Sequence, residues 1–390
     1  MTAEVILIIL FLLLTWTYII YPATVVICAS LFKKSTASHK DAQSTAALHF
    51  VSVVMSLHNE EEVTADKMRS LLATDYPADL TEFIIGSDGS TDETDNIMTE
   101  MAATDSRIRF FRHEQRRGKS SMLNDLVSEA RGDVLIVTDA NVIFSPDTVS
   151  RLAGGFCESA TGLCDATVIP LTHEKTGITK QENFYSRYET ILKRAEGELW
   201  GAMPGPYGGC YAVRRELFPV LPGNTLVDDL FVGLTVLRRN YRSVNIPEAL
   251  VFEDTQPDMT AQFRRRTRIG AGSFQNLFRF GPFPSNRISV SFAFFSHKIM
   301  RWLTPLFLAI FFMTTVILSD RSDFYLCLTT VQLIFIILSA LDMVLDSHGR
   351  KIRYQRYITQ FLLMNAALAA GFVKAVRGIK SGIWEPTKRI

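Results

Sequence analysis

Long apolar runs lie at both ends of the chain, whereas apolar and polar residues are mixed through its middle. The first run covers residues 5–32, which is longer than the roughly 7–15 apolar residues of a signal peptide. No basic residue precedes this run, and Lys33 and Lys34 follow it directly. Because basic residues favour the cytosolic side of a membrane, we predict a retained transmembrane anchor over residues 1–34 that emerges into the cytosol.

Apolar runs also occupy the last third of the chain. Two of them, within residues 302–345, are each close to the roughly 20 residues that cross a bilayer, so we predict two transmembrane helices there. The preceding region, 276–301, ends in an apolar run that is interrupted by His297, Lys298 and Arg301. This mixture predicts helices that lie in the membrane interface.

A third apolar run, 358–373, begins the C-terminal region 350–390, which ends in a basic tail. The run is shorter than the roughly 20 residues that a crossing needs. A full crossing would also place Lys374, Arg377 and the rest of the tail outside the cell, against the usual distribution of basic residues. We therefore expect a helix in the cytosolic interface, with a full span as the alternative.

Between residues 48 and 275, short apolar runs alternate with segments of helical spacing. The apolar runs are HFVSVVMSL, EFIIGSD, RIRFFRH and DVLIVTDA, and the helical segments are EEVTADKMRSLLA, ETDNIMTEMAA and KSSMLNDLVSEA. Such alternation predicts β-α-β units and a mostly parallel sheet, which defines an α/β domain. Ligands of such sheets bind at the carboxyl ends of the strands.

Two predicted strands end in an acid. Asp88 precedes a Gly-Ser turn into a helix, where a carboxylate can accept hydrogen bonds from a base or ribose and the helix N-terminus favours phosphates. Asp139 ends an apolar strand, where it can hold Mg²⁺ or Mn²⁺, cations that prefer oxygen ligands. The alternative for both is an ordinary strand-end turn, with Ser90 as a helix N-cap in the first case.

Other charged residues have two possible roles each. Lys119 opens a predicted helix after Arg116 and Arg117, and this loop either contacts phosphates or is a solvated surface. Asp228 and Asp229 precede an apolar helix, where one can act as a general base or both can complement the helix dipole.

Three further features are candidates for substrate contact. The arginines within residues 264–268 can close over a diphosphate or contact anionic lipid. Gly208 and Gly209 allow close backbone approach to an acceptor, or form a simple turn. Trp200 can stack on a sugar ring or belong to the core.

Composition excludes several classes of protein. Net charge is +1, from 41 basic and 40 acidic residues, so nothing indicates nucleic-acid binding. Five scattered cysteines include no C-x-x-C pair, which argues against a zinc site or a redox pair. The apolar spans carry no run of charges, which disfavours a transporter or channel.

In their order along the chain, these motifs resemble the inverting family 2 glycosyltransferases of the GT-A fold, over about residues 48–275. The resemblance is to the bacterial membrane branch that includes cellulose, hyaluronan, poly-N-acetylglucosamine and shorter exopolysaccharide enzymes. VSVVMSLHNEEE is similar to the family's first strand, and IGSDGSTDET is similar to its nucleoside-binding turn. RRGKSSMLND resembles its Gly-Lys…Leu-Asn segment, and TDAN resembles its DxD metal site. VDD resembles its T-E-D base motif, and QFRRR resembles its QxxRW signature. SHKIMRWLTP and IWEPTKR also resemble this branch.

Three positions depart from the family's pattern. Ser87 stands where a second Asp is common, and Asn141 replaces the second Asp of the metal motif. Arg266 replaces a Trp that is typical of processive members, which favours short or single-sugar addition over polymer elongation.

The resemblance implies a Rossmann-like GT-A domain with N-terminal and C-terminal transmembrane helices. It implies a metal site for Mg²⁺ or Mn²⁺ at Asp139 and Asn141, and a catalytic base at Asp229 with Asp228 beside it. The residues expected at the sugar donor are His58, Glu60, Asp88, Lys119, Asp139, Gln262, Arg265 and Arg266, and those expected at the acceptor are Gly208, Gly209, Cys210 and Trp200.

The expected function is that of a multi-pass enzyme of the plasma (inner) membrane with a cytosolic catalytic domain. It would transfer a hexose from a nucleoside diphosphate sugar, a UDP-sugar by expectation, to a hydroxyl of a glycan or lipid-linked acceptor with inversion. The alternative is a catalytically inactive, nucleotide-sugar-binding subunit of a polysaccharide assembly complex.

Overall fold

The computed structural model of the chain describes residues 2–32, 48–171, 177–254, 259–347 and 355–383. Several predictions from the sequence concern residues outside these ranges. They are Lys33 and Lys34 after the anchor, the start of the C-terminal region at 350–354, and the part of the basic tail beyond residue 383.

An eight-stranded sheet forms the centre of the molecule, in the order β3-β2-β1-β4-β7-β6-β8-β5. Its strands are β1 (Val51–Leu57), β2 (Thr81–Asp88), β3 (Ile108–His113), β4 (Val134–Thr138), β5 (Val142–Phe144), β6 (Thr161–Leu171), β7 (Cys210–Arg214) and β8 (Arg242–Asp254). The pairs within β3-β2-β1-β4 are parallel, as is β6 with β8, whereas β7 is antiparallel to both of its neighbours and β5 is antiparallel to β8. The predicted α/β class with a mostly parallel sheet is confirmed.

Twelve helices are referred to below. They are α1 (Thr2–Leu31), α2 (Glu61–Leu72), α3 (Thr94–Thr104), α4 (Lys119–Glu129), α5 (Thr148–Gly154), α6 (Gly177–Trp200), α7 (Asp228–Arg238), α8 (Met259–Phe280), α9 (288–302), α10 (Thr304–Leu318), α11 (Asp323–Ser347) and α12 (Gln355–Val376). Helix α8 runs through residues 275 and 276, so the predicted boundary between the catalytic domain and the interfacial helices falls inside a helix.

Helices cover both faces of the sheet, which explains why its central strands are continuous apolar runs. On β1, alternate residues such as Val53 and Met55 pack with α2, α3 and α5 on one face. Val54, which points to the other face, packs with α4 and α7. Because both faces are buried, residues of the sheet can contact a ligand only at the ends of its strands.

Among the described residues, four helices are long and apolar enough to cross a membrane: Thr2–Leu31, Thr304–Arg321, Asp323–Asp346 and Gln355–Val376. Helix α12 has 22 residues, whereas the sequence pattern indicated a run of about 16. The difference arises because polar residues flanking the apolar run continue the helix at both ends. Length alone therefore does not exclude a crossing by α12.

Buried polar contacts join α6, which packs on the sheet, to α1 and to α9. Glu196 of α6 is fully buried and accepts a hydrogen bond from Tyr21 of α1 (2.6 Å). It also contacts His297 Nδ1 at 2.9 Å. The basic residues that interrupt the apolar run before residue 302 therefore form specific contacts.

Glu189, about two helical turns before Glu196 on the same helix, completes this connection. It accepts hydrogen bonds from Lys298 (2.5 Å) and Arg301 (2.6 Å). Helix α6 is thereby held against α9 by paired charges, which are costly to separate in a buried place because each would be left without its partner.

Candidate active site

The polar residues that follow β1, β2 and β4 lie at one edge of the sheet, because these strands are parallel neighbours. Helices α4 and α7 begin at the same edge, with Lys119 and Asp228 as their first residues. Predicted donor, metal and base residues from three distant stretches of sequence therefore meet in one cleft.

Asp88, at the end of β2, is buried and holds the loop that precedes α4. Its two carboxylate oxygens accept hydrogen bonds from the backbone N–H of Arg117 (2.8 Å) and of Gly118 (2.7 Å). The turn that follows Asp88 packs tightly on the same loop, since a Cβ on Gly89 would lie 2.9 Å from the backbone nitrogen of Arg116. Asp88 therefore sets the position of Lys119, and its effect on a bound nucleoside would pass through this loop.

The turn after β1 is fastened to the turn after β2. His58 Nδ1 lies 2.8 Å from the carbonyl oxygen of Asp88, and Asn59 Oδ1 accepts from the backbone N–H of Thr91 (2.8 Å). The backbone N–H of Glu60, just before α2, donates to the hydroxyl of Thr94 (2.9 Å) at the start of α3. His58 and Glu60 thus lie beside Asp88 at this edge of the sheet, and their contact with a nucleoside stays a prediction.

Lys119 lies between two carboxylates at the centre of the cleft. Its Nζ is 2.8 Å from Asp139 Oδ1 and 3.5 Å from Asp228 Oδ2. Burial alone would lower the pKa of Lys119, but Asp139 and Asp228 outweigh it and raise that pKa. For Asp139 the directions are reversed. Burial alone would raise the pKa of Asp139, but the positive charges of Lys119, Arg268 and Arg265 hold that pKa below its ordinary value. Both groups are therefore charged at neutral pH.

The pKa of Asp229 is shifted in the opposite direction to that of Asp139. Burial, and then the negative charge of Asp228, raise the pKa of Asp229 to about 6. Its carboxylate lies against Gly208, where a Cβ would be 3.1 Å from Oδ2. A carboxylate that is ionised at neutral pH but has a raised proton affinity is suited to accept a proton.

The loop that precedes Asp228 is attached to α8. Gln275 accepts from the backbone N–H of Leu226 (3.2 Å) and donates to the carbonyl oxygen of Asn224 (2.9 Å). Asn276 donates to the carbonyl oxygen of Val227 (3.0 Å). Helix α8 therefore positions the acidic pair as well as the arginines on its first turns.

Buried Lys67 supports the loop that carries Asp139 and Asn141. Its Nζ donates to Thr138 Oγ1 (2.9 Å) and to the carbonyl oxygen of Val142, on either side of that loop. Burial lowers the pKa of Lys67 to about 7, with Cys210 and Asp139 acting in the opposite direction. This lysine lies on α2 outside every motif identified above, so sequence analysis did not select it.

The residues of the predicted metal site provide two oxygen ligands. Asp139 offers a carboxylate, and Asn141 donates through Nδ2 to Glu253 (3.1 Å), so its Oδ1 is the atom suited to a cation. Among the described residues, no group of three or more His, Cys, Asp and Glu side chains could hold a metal. The site therefore fits Mg²⁺ or Mn²⁺ taking its remaining ligands from water and substrate phosphates, a common mode for Mg²⁺.

The basic residues of α8 are only partly placed as predicted. Arg265 lies 3.4 Å from Glu253 and contributes to the electrostatics of Asp139. Arg268, three residues later and so on the same face of the helix, influences Asp139, Asp228 and Asp229. Arg266 is a quarter-turn away from Arg265, so Arg268 replaces it as the second arginine of the cleft.

Gln262 is placed differently from the prediction. It is buried, and its Oε1 accepts a hydrogen bond from Gln360 of α12 (3.1 Å). This contact joins the first turns of α8 to α12.

The expected acceptor residues fall into two groups. Gly208 and Gly209 lie in the cleft, where the carbonyl oxygen of Gly209 accepts from the backbone N–H of Asp139 (3.0 Å). Cys210 is fully buried in β7, opposite Thr138, and so is not available for acceptor contact.

The prediction for Trp200 is corrected by the structure. Its ring packs edge-on against Phe292 of α9 at 6.2 Å and joins the apolar clusters that contain Tyr21 and Val290. It belongs to the contact between α6 and the membrane helices, because the end of an amphipathic helix needs apolar cover there.

Sequence analysis did not identify two further residues of the site. Glu253, near the end of β8, contacts Asn141 and Arg265. Tyr207 donates through its hydroxyl to Glu253 (2.5 Å), and its ring lies 2.6 Å from where a Cβ on Gly209 would be. The acid after the apolar run ALVF was the only available signal for Glu253, and it resembles the signal at Asp139.

The sheet, with helices on both of its faces, has the GT-A fold. PcManGT, a mannosyltransferase from Pyrobaculum calidifontis, was solved in complex with GDP-Man and Mn²⁺ and has the same fold. The two chains are 20% identical and superpose with a TM-score of 0.63. The match covers 91% of this chain and 99% of that chain. Residues 52–221 match the family described as Glycosyl transferase family 2. The chain carries a family 2 glycosyltransferase domain.

Two curated relatives show the range of the likeness. The β-monoglucosyldiacylglycerol synthase of Trichormus variabilis is 26% identical over 250 residues, which are 61% of this chain and 52% of the relative. The poly-β-1,6-N-acetyl-D-glucosamine synthase of Staphylococcus epidermidis is 22% identical over 358 residues, 85% of each chain. The chain spans about half the length of several other curated relatives that it matches.

The position of Asp88 leads to a stability prediction. In Asp88→Asn, one of the two backbone N–H groups at 117 and 118 faces an amide NH₂ in place of an oxygen, which should cost about 1–3 kcal/mol of stability. Hydrogen–deuterium exchange of the peptide that contains residues 115–120 should lose protection, and the thermal midpoint should fall. Asp79→Asn, at an exposed position, is the control. Unchanged protection at 115–120 would contradict the role assigned to Asp88.

Proposed function

We propose that the chain is an inverting glycosyltransferase of the hexosyltransferase type that uses a nucleoside diphosphate sugar. The observation that carries this proposal is the pairing, in one cleft, of a cation-stabilised carboxylate at Asp139 with a carboxylate of raised pKa at Asp229. The first can serve a diphosphate site, and the second can accept a proton from an acceptor hydroxyl.

The sugar donor would occupy the carboxyl edge of β1, β2 and β4. Asp88 and the turn at His58 would form its nucleoside end, with UDP-sugars as the expected class of donor. Lys119 and the arginines of α8 would bind the diphosphate, since all three are cations directed at the same acidic cleft. Asp139 and Asn141 would hold Mg²⁺ or Mn²⁺, which would neutralise charge on the departing nucleoside diphosphate.

Asp229 would act as the general base. The acceptor hydroxyl would lie beside the Asp229 carboxylate, which packs so closely on Gly208 that a Cβ there would be 3.1 Å from Oδ2. Loss of its proton to Asp229 would let the oxygen attack C1 of the sugar from the face opposite the diphosphate. One such displacement inverts the anomeric centre and requires no covalent enzyme intermediate.

The acceptor is proposed to be a glycan or a lipid-linked molecule. Helix α8, which carries the arginines of the cleft, also packs along α12, whose outer face exposes Tyr357, Phe372 and Val376. An apolar face so close to the cleft favours an acceptor delivered from the bilayer. The likeness to a glycolipid synthase and to a polysaccharide synthase supports both kinds of acceptor.

The function is tested with purified full-length protein, a panel of UDP- and GDP-sugars, and membrane lipids as acceptors, with products read by mass spectrometry. We expect sugar transfer that requires Mg²⁺ or Mn²⁺ and is nearly abolished in Asp139→Ala. The control is Asp133→Ala, an exposed acid at the other end of β4. Full turnover in excess EDTA would contradict the metal site. Donor binding without transfer or hydrolysis would support the alternative of an inactive binding subunit.

The role of Asp229 predicts a pH profile. A base must be unprotonated to act, so kcat/KM should rise as pH increases through about 6 and level off above pH 7. Asp229→Asn should keep sugar-donor binding within a few-fold and lower kcat by roughly 10²–10⁴-fold. Asp228→Asn removes the neighbouring charge that raises the pKa of Asp229, so its acidic limb should move to lower pH. If Asp228→Asn is inactive and Asp229→Asn is active, the base is Asp228.

For the membrane region we propose a cytosolic catalytic domain at the plasma membrane, with α1, α10 and α11 as spans and α12 in the interface. Helix α12 packs along α8 over much of its length. Gln360 contacts Gln262, and Gly371 approaches Ala271 so closely that a Cβ would lie 2.7 Å from its backbone nitrogen. Beyond α12, the carbonyl oxygen of Ile379 accepts from Asn224 (2.8 Å). Both ends of α12 are thus beside the catalytic domain.

This arrangement predicts where the C-terminus lies. A fluorescent protein fused after Ile390 should be fluorescent in the cytosol, and alkaline phosphatase fused there should be inactive. A fusion after Asp320, between α10 and α11, should give the reverse result and serves as the control. Phosphatase activity at Ile390 would show that α12 crosses the bilayer, despite its contacts with α8.

A further inference from the structure

Glu253 is brought to the metal-site loop by strand pairing. It lies near the end of β8, and β8 is antiparallel to the short strand β5, with Glu253 opposite Val142. Asn141 directly precedes Val142. The side chain of Glu253 is only 16% exposed, so its carboxylate needs partners at this position.

Three side chains from different elements supply those partners. Asn141 donates through Nδ2 to Glu253 Oε1 (3.1 Å), and Arg265 of α8 lies 3.4 Å from the same oxygen. Tyr207 donates its hydroxyl hydrogen to Oε2 (2.5 Å). Tyr207 lies in the loop before β7 and Arg265 lies on α8. Because both hold the Glu253 carboxylate, its position does not depend on Asn141 alone.

The bond from Asn141 determines which end of its amide is available for a cation. An amide carries an oxygen that can bind a metal and an NH₂ group that repels one. With the NH₂ group bound to Glu253, the oxygen is the atom that remains. An Asp at position 141 would instead set two carboxylates against each other at this short distance, which is unfavourable for both.

We propose that Glu253 is a positioning residue that orients the Asn141 amide so that its oxygen, with the Asp139 carboxylate, forms the metal site. The inference rests on the proposed function, since it assumes that a divalent cation binds with the sugar donor. It explains how Asn replaces the second Asp of the motif: the carboxylate that the motif loses at 141 is present at 253, where it acts through Asn141. The arrangement makes Asn141 and Glu253 a matched pair.

A reciprocal exchange tests this pair. Mn²⁺ binding to the purified full-length protein is measured at pH 8 by electron paramagnetic resonance, with UDP and separately with GDP present. Asn141→Asp should weaken Mn²⁺ binding by roughly 10–100-fold, the range for loss of a group that orients a ligand. The double variant Asn141→Asp/Glu253→Gln should return binding to within a few-fold of the wild type, because the new amide at 253 donates to the new carboxylate at 141.

Two controls complete the experiment. Glu248→Gln changes an exposed acid on the same strand and should leave Mn²⁺ binding unchanged. Asp139→Ala removes a proposed ligand and should abolish it. Rescue by the double variant is the decisive result, because two separate structural defects would add to each other and would not cancel.

The inference is overturned if Asn141→Asp binds Mn²⁺ as tightly as the wild type, or if the double variant gives no recovery. If either result is obtained and Asp139→Ala still fails to bind Mn²⁺, the metal site of the proposed function stands and only the role of Glu253 is rejected. If the wild type binds no Mn²⁺ with either nucleotide, the metal site of the proposed function fails, and the role of Glu253 fails with it.

Discussion

Mutual repulsion among Asp139, Asp228 and Asp229 is the constraint that organises the cleft. Three carboxylates in a buried place are unfavourable unless cations or protons offset them. Lys119 lies between Asp139 and Asp228, and Arg268 influences all three acids. Within the part of the chain that the structure describes, Asp229 forms no ion pair as close as those of Asp139 and Asp228 with Lys119. Burial and Asp228 outweigh the more distant effects of Lys119 and Lys193 and raise the pKa of Asp229 to about 6. Unequal distribution of positive charge therefore gives similar side chains different protonation behaviour.

The antiparallel strand β7 converts this charge pattern into a fixed geometry. It pairs with β4 so that Gly209 accepts from the backbone N–H of Asp139, and the preceding Gly208 lies against Asp229. A backbone segment of two glycines thus separates the proposed metal ligand from the proposed base. Because backbone atoms move less than long side chains, the distance between the two carboxylates is set by the fold.

Local patterns were enough to predict β1 to β4, the helices between them, and the gathering of Asp88, Asp139 and Lys119 at one edge. These follow from apolar runs and from the rule that parallel strands end together. Long-range pairing was not predictable in the same way: the insertion of β7 and the pairing of β8 with β5 leave no periodic signal. Glu253 and Tyr207 reach the cleft only through those pairings, which is why no motif identified them.

Helical geometry accounts for a different kind of error. The basic cluster of α8 was recognised as a group, but only one face of a helix can point into a cleft. Positions three apart share a face, so Arg265 and Arg268 belong together and Arg266 does not. Trp200 and Gln262 were misplaced because each contacts a helix that is distant in sequence, α9 and α12 respectively. Residue type alone gave no information on those partners.

Two of the three departures from the family's motifs, at Ser87 and Asn141, share a physical explanation. At Ser87, the hydroxyl contacts Ser90 Oγ (2.8 Å), so a short polar pair occupies the place of a second acid beside Asp88. At Asn141, loss of a charge is accompanied by Glu253, which adds one nearby. At each position, adding an Asp would place a further negative charge next to an existing carboxylate. The substitutions therefore limit the number of acids in a cleft whose cations, Lys119, Arg265 and Arg268, are few. On this view the sequence departs from the pattern at positions where a further acid would add to the repulsion among the existing carboxylates.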